Sequence, residues 1–350
     1  MNPQPSPTRA LLLVNLGTPD STSVDDVRRY LREFLSDPDV ISLPAPLRWA
    51  LLEGIILRTR PKKSAAAYRS IWTDRGSPLM FHSQDLAARV QEKVGPSTRV
   101  ALAMRYGTPS IASVLADLKA SGITDVTVFP LYPQYSRAST KTVITKLNRE
   151  AKAMGYAPTL RWVPAFYDAP AFIDAFVAVG RRVMATTSYD KVLMSFHGYP
   201  ERYLREDDPS GAHCLRRADC CDVKGDANRD CYKHQCTVTA DDLIKKLGLP
   251  KDDVIVCYQS RLRDTWVRPY TDVVVVDAAK AGTKRLLVFS PAFVADCLET
   301  LEELAIRADE EFRAHGGEKL TLVPSLNSEP EWVDAVVSLA RAVGPQIGGT

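Results

Sequence analysis

The sequence predicts an α/β protein made of two similar doubly wound halves, each a parallel sheet with helices on both faces. Short Leu- and Val-rich runs recur along the chain, each ending near Gly, Pro or Ser and each followed by a helical pattern. The runs are almost continuously apolar instead of alternating, which is how strands buried on both faces read. The order of elements also repeats, since AMRYG leads through a helix to GITDVTVFPLY just as VCYQS leads through a helix to AGTKRLLVFSPAF.

Taken in order, ALLLVNLG from Ala10 opens the first half, its apolar run broken by Asn15. RVALAMRYG from Arg99 and DVTVFPLYP from Asp125 follow, and TLRWVPAF from Thr159 closes the half at a proline. KVLMSFHG from Lys191 opens the second half, followed by DVIVCYQS from Asp253, RLLVFSPAF from Arg285 and KLTLVPSL from Lys319. The expected domains are residues 8–187 and 188–327. The remaining 328–350 carry a final helix, Trp332 to Val343, that is a candidate to cross back.

The 350 residues hold 45 Lys+Arg against 42 Asp+Glu, a net charge of +3, and 45% are hydrophobic. That composition excludes disorder and offers no basic footprint for nucleic acid. Neither GxGxxG nor GxxxxGK[ST] stands at a strand end, so no nucleotide cofactor is expected. Met1 to Arg9 does not read as a signal peptide, and the longest apolar run, Trp49 to Leu57, is interrupted by Glu53 and Gly54. The chain reads as cytoplasmic, where clustered cysteines are metal ligands or reactive thiols more often than disulfides.

Sheets of this kind bind ligands beyond the carboxyl ends of their strands. The residues there are Tyr132 and Tyr135 in FPLYPQYS, His197 in SFHGYP, and Gln259, Ser260 and Arg261 in YQSR. His197, at a strand end before Gly198, suits a metal ligand or proton acceptor, with a packed core histidine as the alternative. After SPAF, Asp296, Glu299, Glu303 and Glu310 fall within about 60° of arc at helical spacing, opposite Leu298, Leu301, Ala305, Ala308 and Phe312. Such a row can pass on a cation or collect protons, or it can be an ordinary solvated face.

Between residues 41 and 72, Leu47, Trp49, Leu51, Leu52, Ile55, Ile56 and Leu57 are interleaved with or followed by Arg48, Arg58, Arg60, Lys62 and Lys63. This reads as an apolar lip with anchoring cations, suited to a flat hydrophobic carboxylate or to peripheral contact with a membrane surface, or else as a core helix with a basic end. Cys214, Cys220, Cys221, Cys231 and Cys236 lie within residues 213–236 at C-x5-C-C-x9-C-x4-C spacing, without the CxxC of most zinc sites. Four of the five could hold zinc or an iron–sulfur cluster.

VNLGTPDSTSVDDVRRYLREFLSDPDVI, FPLYPQYS, SFHGYP, YQSRLRDTWVRPYTD and SPAFVADCLETLEEL, in that order, closely resemble the ferrochelatase family, whose members insert ferrous iron into porphyrin. The resemblance runs from about residue 9 to the C-terminus. It implies two Rossmann-like domains with porphyrin in the cleft between them, and makes His197 and Glu299 the pair assigned to Fe²⁺. Glu303 and Asp296 continue the acidic row. Leu16 and Tyr132 border the macrocycle, with Tyr135, Arg261 and Trp266 near it, and the lip matches the porphyrin entrance. Leu16, where coproporphyrin-acting relatives tend to have Tyr, favours protoporphyrin IX. Cys297 departs from members with His there. Members with a similar internal segment carry a [2Fe–2S] cluster, so the resemblance implies that cluster here, with zinc as the alternative.

The implied activity is insertion of Fe²⁺, as substrate, into protoporphyrin IX with release of two protons, the terminal step of haem biosynthesis. The alternatives are a chelatase for coproporphyrin or another tetrapyrrole and, outside enzymes, a haem-binding iron–sulfur sensor. The chain is expected to be cytoplasmic, with membrane association on the cytoplasmic face. Oligomeric state is not legible in the sequence.

Overall fold

The computed structural model describes residues 7–344. The reading of Met1 to Arg9 as lacking a signal peptide rests largely on residues outside that range, as does the end of the 328–350 segment. Two four-stranded parallel sheets form, and they share one topology. The first is ordered β2-β1-β3-β4, from β1 (Arg9–Asn15), β2 (Thr98–Met104), β3 (Asp125–Pro130) and β4 (Thr159–Trp162). The second is ordered β6-β5-β7-β8, from β5 (Lys191–His197), β6 (Val254–Gln259), β7 (Arg285–Phe289) and β8 (Lys319–Leu322). The α/β class and the duplication are as expected, because β1 and β5, each central in its sheet, are buried nearly throughout and so must be apolar.

The chain forms two compact units, one from residues 1–132, 137–164 and 327–350, the other from 133–136 and 165–326. The helix Pro170–Met184 follows β4, yet it belongs to the second unit. The helix Pro330–Val343 follows β8, yet it belongs to the first. The expected divide at residue 187 therefore falls on the far side of a helix that packs with the second unit, and both terminal helices change units where only the last was considered. Packing shows why Pro170–Met184 is held. A Cβ on Gly180 would stand 2.6 Å from the Phe289 ring, so that helix and β7 touch at a residue without a side chain. In the first unit Trp332, fully buried, meets Phe129 of β3 edge-on at 6.3 Å.

Candidate active site

The second unit's site grows from the ends of β5 and β6. Six consecutive register pairs, from Val192↔Val254 to His197↔Gln259, tie the two strands. His197 is half-buried, with the Trp266 and Phe293 rings 6.3 and 6.2 Å from its own. Its Nδ1 lies 2.6 Å from the Gly198 carbonyl oxygen. A carbonyl only accepts, so Nδ1 carries the proton and Nε2 presents a lone pair. The following residue, Gly198, permits a close approach. Its neighbours are protein: a Cβ there would meet Gln259 O at 2.6 Å and the Trp266 ring at 2.9 Å, and Gly198 N–H donates to that same Gln259 O at 2.7 Å.

Gln259, 2% exposed, links the strand ends to the acidic segment. Its Oε1 accepts from Ser195 Oγ at 2.8 Å, and its Nε2 donates to Glu299 O at 2.8 Å. Residues Glu299–Ala308 form a π-helix, so the 100° spacing used to align four carboxylates does not apply. Within its wider turn Thr300, Leu304 and Ala308 are buried, and Glu299 and Glu303, at the same four-residue spacing, form an adjacent row. The remaining two acids fall outside the row. Glu310 is exposed on the following helix, Asp309–Ala314. Asp296 is buried before the π-helix, where its Oδ1 accepts from Thr300 Oγ1 at 3.0 Å and Ser325 N at 3.2 Å.

Burial raises the Glu303 pKa above the usual carboxylate range. Hydrogen bonds from Ser260 and the charge of Arg307 oppose that rise. Cys297, fully buried, has its thiol pushed well above its ordinary pKa by burial and by the hydrogen-bonded Glu299 beside it. Arg261 is committed to its own loop. It pairs with Asp264 at 2.5 Å and Asp272 at 2.8 Å and lies over the Tyr270 ring at 4.2 Å.

Tyr135 also lies in the second unit, half-buried, its N–H donating to Gln235 Oε1 at 2.7 Å. In the first unit Leu16 is half-buried just past β1, its carbonyl accepting from Tyr106 N at 2.8 Å. Tyr132, in the same unit, has a buried hydroxyl with no hydrogen-bond partner, and burial drives its pKa upward. Sequence reading had singled out Gln259 and Ser260 without roles and had missed Phe293.

The chain matches the family described as Ferrochelatase over residues 8–343. It is 48% identical over 334 residues to a Pseudomonas putida (strain W619) protein named Ferrochelatase, covering 95% of this chain and 98% of that one. It is 47% identical over 340 residues to the Azotobacter vinelandii (strain DJ) protein of the same name, covering 96% and 99%. The chain belongs to the ferrochelatase family. The fold is shared more widely: SirB from Bacillus subtilis with Fe³⁺ superposes with a TM-score of 0.53 at 13% identity, covering 96% of this chain and 95% of that one. The cobalt complex of the sirohydrochlorin chelatase SirB, from Bacillus subtilis subspecies spizizenii, gives 0.52 at 11% identity over 97% and 96%.

This ferrochelatase-family chain also orders its cysteine segment by means that the thiol spacing did not reveal. Asp208 accepts from Ser210 N and Oγ at 2.9 and 2.6 Å, His213 N at 2.8 Å and Cys214 N at 2.9 Å. Burial would raise its pKa, but those four donors outweigh burial and hold it well below the usual range. Asn228, fully buried, donates to Cys220 O and Val223 O at 3.0 and 2.9 Å. His213 Nε2 and His234 Nδ1 each stand 2.9 Å from the carbonyls of Cys220 and Cys221. The DDPSG stretch was the available signal, an Asp in turn context gathering the backbone N–H groups that follow it.

Cys214, Cys220, Cys231 and Cys236 are each 4% exposed or less, and Cys221 is half-buried. The Cys220 and Cys221 sulfurs are 3.9 Å apart, the Cys214 thiol donates to Ala227 O at 3.6 Å, and no cysteine is in a disulfide. Cys231 is the N-cap residue of the helix Tyr232–Leu247, where the backbone N–H groups of His234 and Lys233 oppose the rise that burial gives its thiol pKa. Burial, with neighbouring thiols adding to it, pushes Cys221 up to about 12 and raises Cys214, Cys231 and Cys236 as well. His234, 1% exposed, leaves its Nε2 without a partner in the same segment. Desolvated thiols gathered in one segment suit a metal by donor chemistry, since a cation deprotonates them and offsets their repulsion. Among the described residues, no three His, Cys, Asp or Glu side chains are arranged to hold a metal ion.

The lip is continuous helix, Ala45–Leu51, a π-turn Leu52–Ile56 and Leu57–Ile71. Leu47, Trp49 and Ile55 are 60, 67 and 59% exposed, whereas Leu52 and Leu57 belong to the core. Arg58, Arg60, Lys62 and Lys63 are exposed. Among the described residues no helix is long and apolar enough to cross a membrane.

Proposed function

We propose that this chain inserts Fe²⁺ into protoporphyrin IX to give protohaem, releasing the two pyrrole N–H protons, as the terminal step of haem biosynthesis. The observation that carries the reading is the strand-end arrangement in the second unit: a histidine with a free Nε2 lone pair, and two glutamates of one π-helix, one tied to the partner strand by Gln259 and the other by Ser260. His197 accepts a pyrrole proton, holds the iron, or does each in turn. Glu299 and Glu303 bind Fe²⁺ through oxygen, loosely enough to hand it on as ring nitrogens take over. Asp296 supports that segment from beneath. Leu16, Tyr132, Tyr135, Arg261 and Trp266 border the porphyrin, Arg261 by holding its loop.

Four of Cys214, Cys220, Cys221, Cys231 and Cys236 hold a [2Fe–2S] cluster, which when bound supplies a covalent cross-link to a segment poor in apolar side chains. The exposed Leu47, Trp49 and Ile55 beside four cations support peripheral contact with an anionic membrane from the cytoplasmic side.

An anaerobic assay of Fe²⁺ and protoporphyrin IX, followed by absorbance, tests the activity. Turnover with coproporphyrin but not protoporphyrin would correct the substrate, and haem binding without any turnover would replace the enzyme by a sensor. Protein purified without oxygen is expected to be red-brown, with visible bands that dithionite bleaches. Colourless protein with stoichiometric zinc would overturn the cluster and leave the rest standing. Binding to anionic vesicles is expected to weaken with salt, and salt-independent or absent binding counts against the lip.

A further inference from the structure

Ser260 is the residue after β6, and its backbone sits at φ 60°. That left-handed region penalises any side chain with a Cβ and is the ordinary preserve of glycine. The chain keeps a serine there, and the conformation has one visible consequence. Ser260 N–H donates to Glu303 Oε1 at 2.7 Å, and Ser260 Oγ donates to Glu303 Oε2 at 2.5 Å. One residue thus takes one lone pair from each oxygen of a single carboxylate and fixes its plane. The Glu303 side chain is only 21% exposed, and the nearest cation, Arg307, stands 4.0 Å away. The preceding residue, Gln259, is His197's register partner and donates to Glu299 O. The two-residue segment therefore grips the π-helix at both glutamates from the strand that flanks the histidine.

A buried carboxylate capped only for stability would not need a strained donor, because a glycine offers the same N–H without the backbone penalty. We infer that Ser260 is a positioning residue for the iron substrate: its hydroxyl and N–H hold the Glu303 carboxylate in the one orientation from which its remaining lone pairs meet Fe²⁺. The inference rests on the reading of Glu303 as an iron-handling group.

Ser260→Gly separates the two roles, since it keeps the N–H, removes the hydroxyl and relieves the backbone. The expected result is a thermal midpoint equal to or above the parent's, together with a rise in KM for Fe²⁺ of about 10- to 100-fold and little change in KM for porphyrin. Ser260→Ala should show the same kinetic defect with a lower midpoint. The defect should also be absent against a Glu303→Gln background, where the double variant performs no worse than Glu303→Gln alone. Native kinetics in Ser260→Gly, while Glu303→Gln is impaired, would overturn the positioning role. So would an equal rise in both KM values accompanied by a lower midpoint, which is what a structural cap alone predicts. If Glu303→Gln is itself kinetically native, it is the reading of Glu303 that fails.

Discussion

The two halves share a scaffold and differ in what they mount on it. β1 ends in Asn15, β5 in His197. In both, the strand that follows in sequence folds back through a cis-proline, Met104 N donating to Pro109 O at 2.7 Å and Tyr258 N to Pro269 O at 2.9 Å. The second loop is the longer, and its extra residues include Ser260, Arg261 and Trp266. Both halves place a π-segment after their third strand in sequence, a basic RASTK (Arg137–Lys141) in the first and the acidic ETLEELAIRA (Glu299–Ala308) in the second. The slot between the first and second strands holds the apolar lip in one half and the cysteine segment in the other. The same backbone thus occurs twice, and the halves differ in a strand-end residue, in the length of a loop and in the charge of a π-helix.

The largest difference should appear at the ends of the central strands. His197→Ala is expected to lower kcat by at least about 10³-fold with the fold and porphyrin binding retained. Asn15→Ala should do the reverse. Asn15 Nδ2 donates to Ser83 Oγ at 3.0 Å in a buried site, so its loss should cost about 1–3 kcal/mol in urea unfolding while the folded protein still turns over. Equal loss of turnover in both variants would break the comparison.

Next comes Glu299→Gln, for which the basic segment of the first half has no counterpart. A fall in kcat of about 10²-fold is expected with the porphyrin dissociation constant unchanged, and a defect confined to porphyrin affinity would reassign the residue.

The exchanged terminal helices offer a third test. Gly180 stands at the place in its helix that Ala340 takes in the other, and Ala340 is itself fully buried. Gly180→Ala is expected to destabilise by about 1–3 kcal/mol, because the new methyl meets the Phe289 ring. Ala340→Gly should cost about 1 kcal/mol or more through helix propensity. A stabilised Gly180→Ala would mean that the helix can shift off β7.

The smallest effect is a pair of opposite pH slopes. Burial raises the Glu303 pKa, so the native state holds its proton more tightly than the unfolded chain does, and stability falls as pH rises from the ordinary carboxylate range through the native value. Asp37, in the first unit, is also pushed upward by burial. There, hydrogen bonds from Thr142, the Asp39 N–H and Tyr106, with the Arg105 charge, outweigh it and leave the pKa lowered. Its contribution is present above the ordinary range and lost as pH falls. Urea midpoints should rise more steeply with pH between about pH 4 and 7 in Glu303→Gln, and should lose their pH dependence below about pH 4 in Asp37→Asn; shifts of the same sign would refute the assignment.

The parallel sheets, their order of appearance and the strand-end position of His197 were legible because burial on both faces demands continuous apolar runs. The carboxylate row was legible only in part. Glu299 and Glu303 fall together, but a π-helix carries no period that composition announces, so Asp296 and Glu310 were wrongly grouped with them. Gly198 showed that something approaches closely and could not say what, since Gln259 O and the Trp266 ring arrive from elsewhere in the chain. The thiols of the 213–236 segment were plain, whereas Asp208 and Asn228, which hold their backbone, looked like ordinary turn residues.

By itself the sequence determined the α/β class, the duplication and the family, because these depend on local apolar periodicity and on motifs read in order. Tertiary structure alone decided that each half gives up its terminal helix to the other unit, that Ser260 takes a left-handed backbone to bind both Glu303 oxygens, and that Arg261 is held by Asp264 and Asp272. Each of these is a contact between residues far apart in the chain or a choice among backbone states. Side-chain type permits such a choice, and only packing against a particular neighbour makes it.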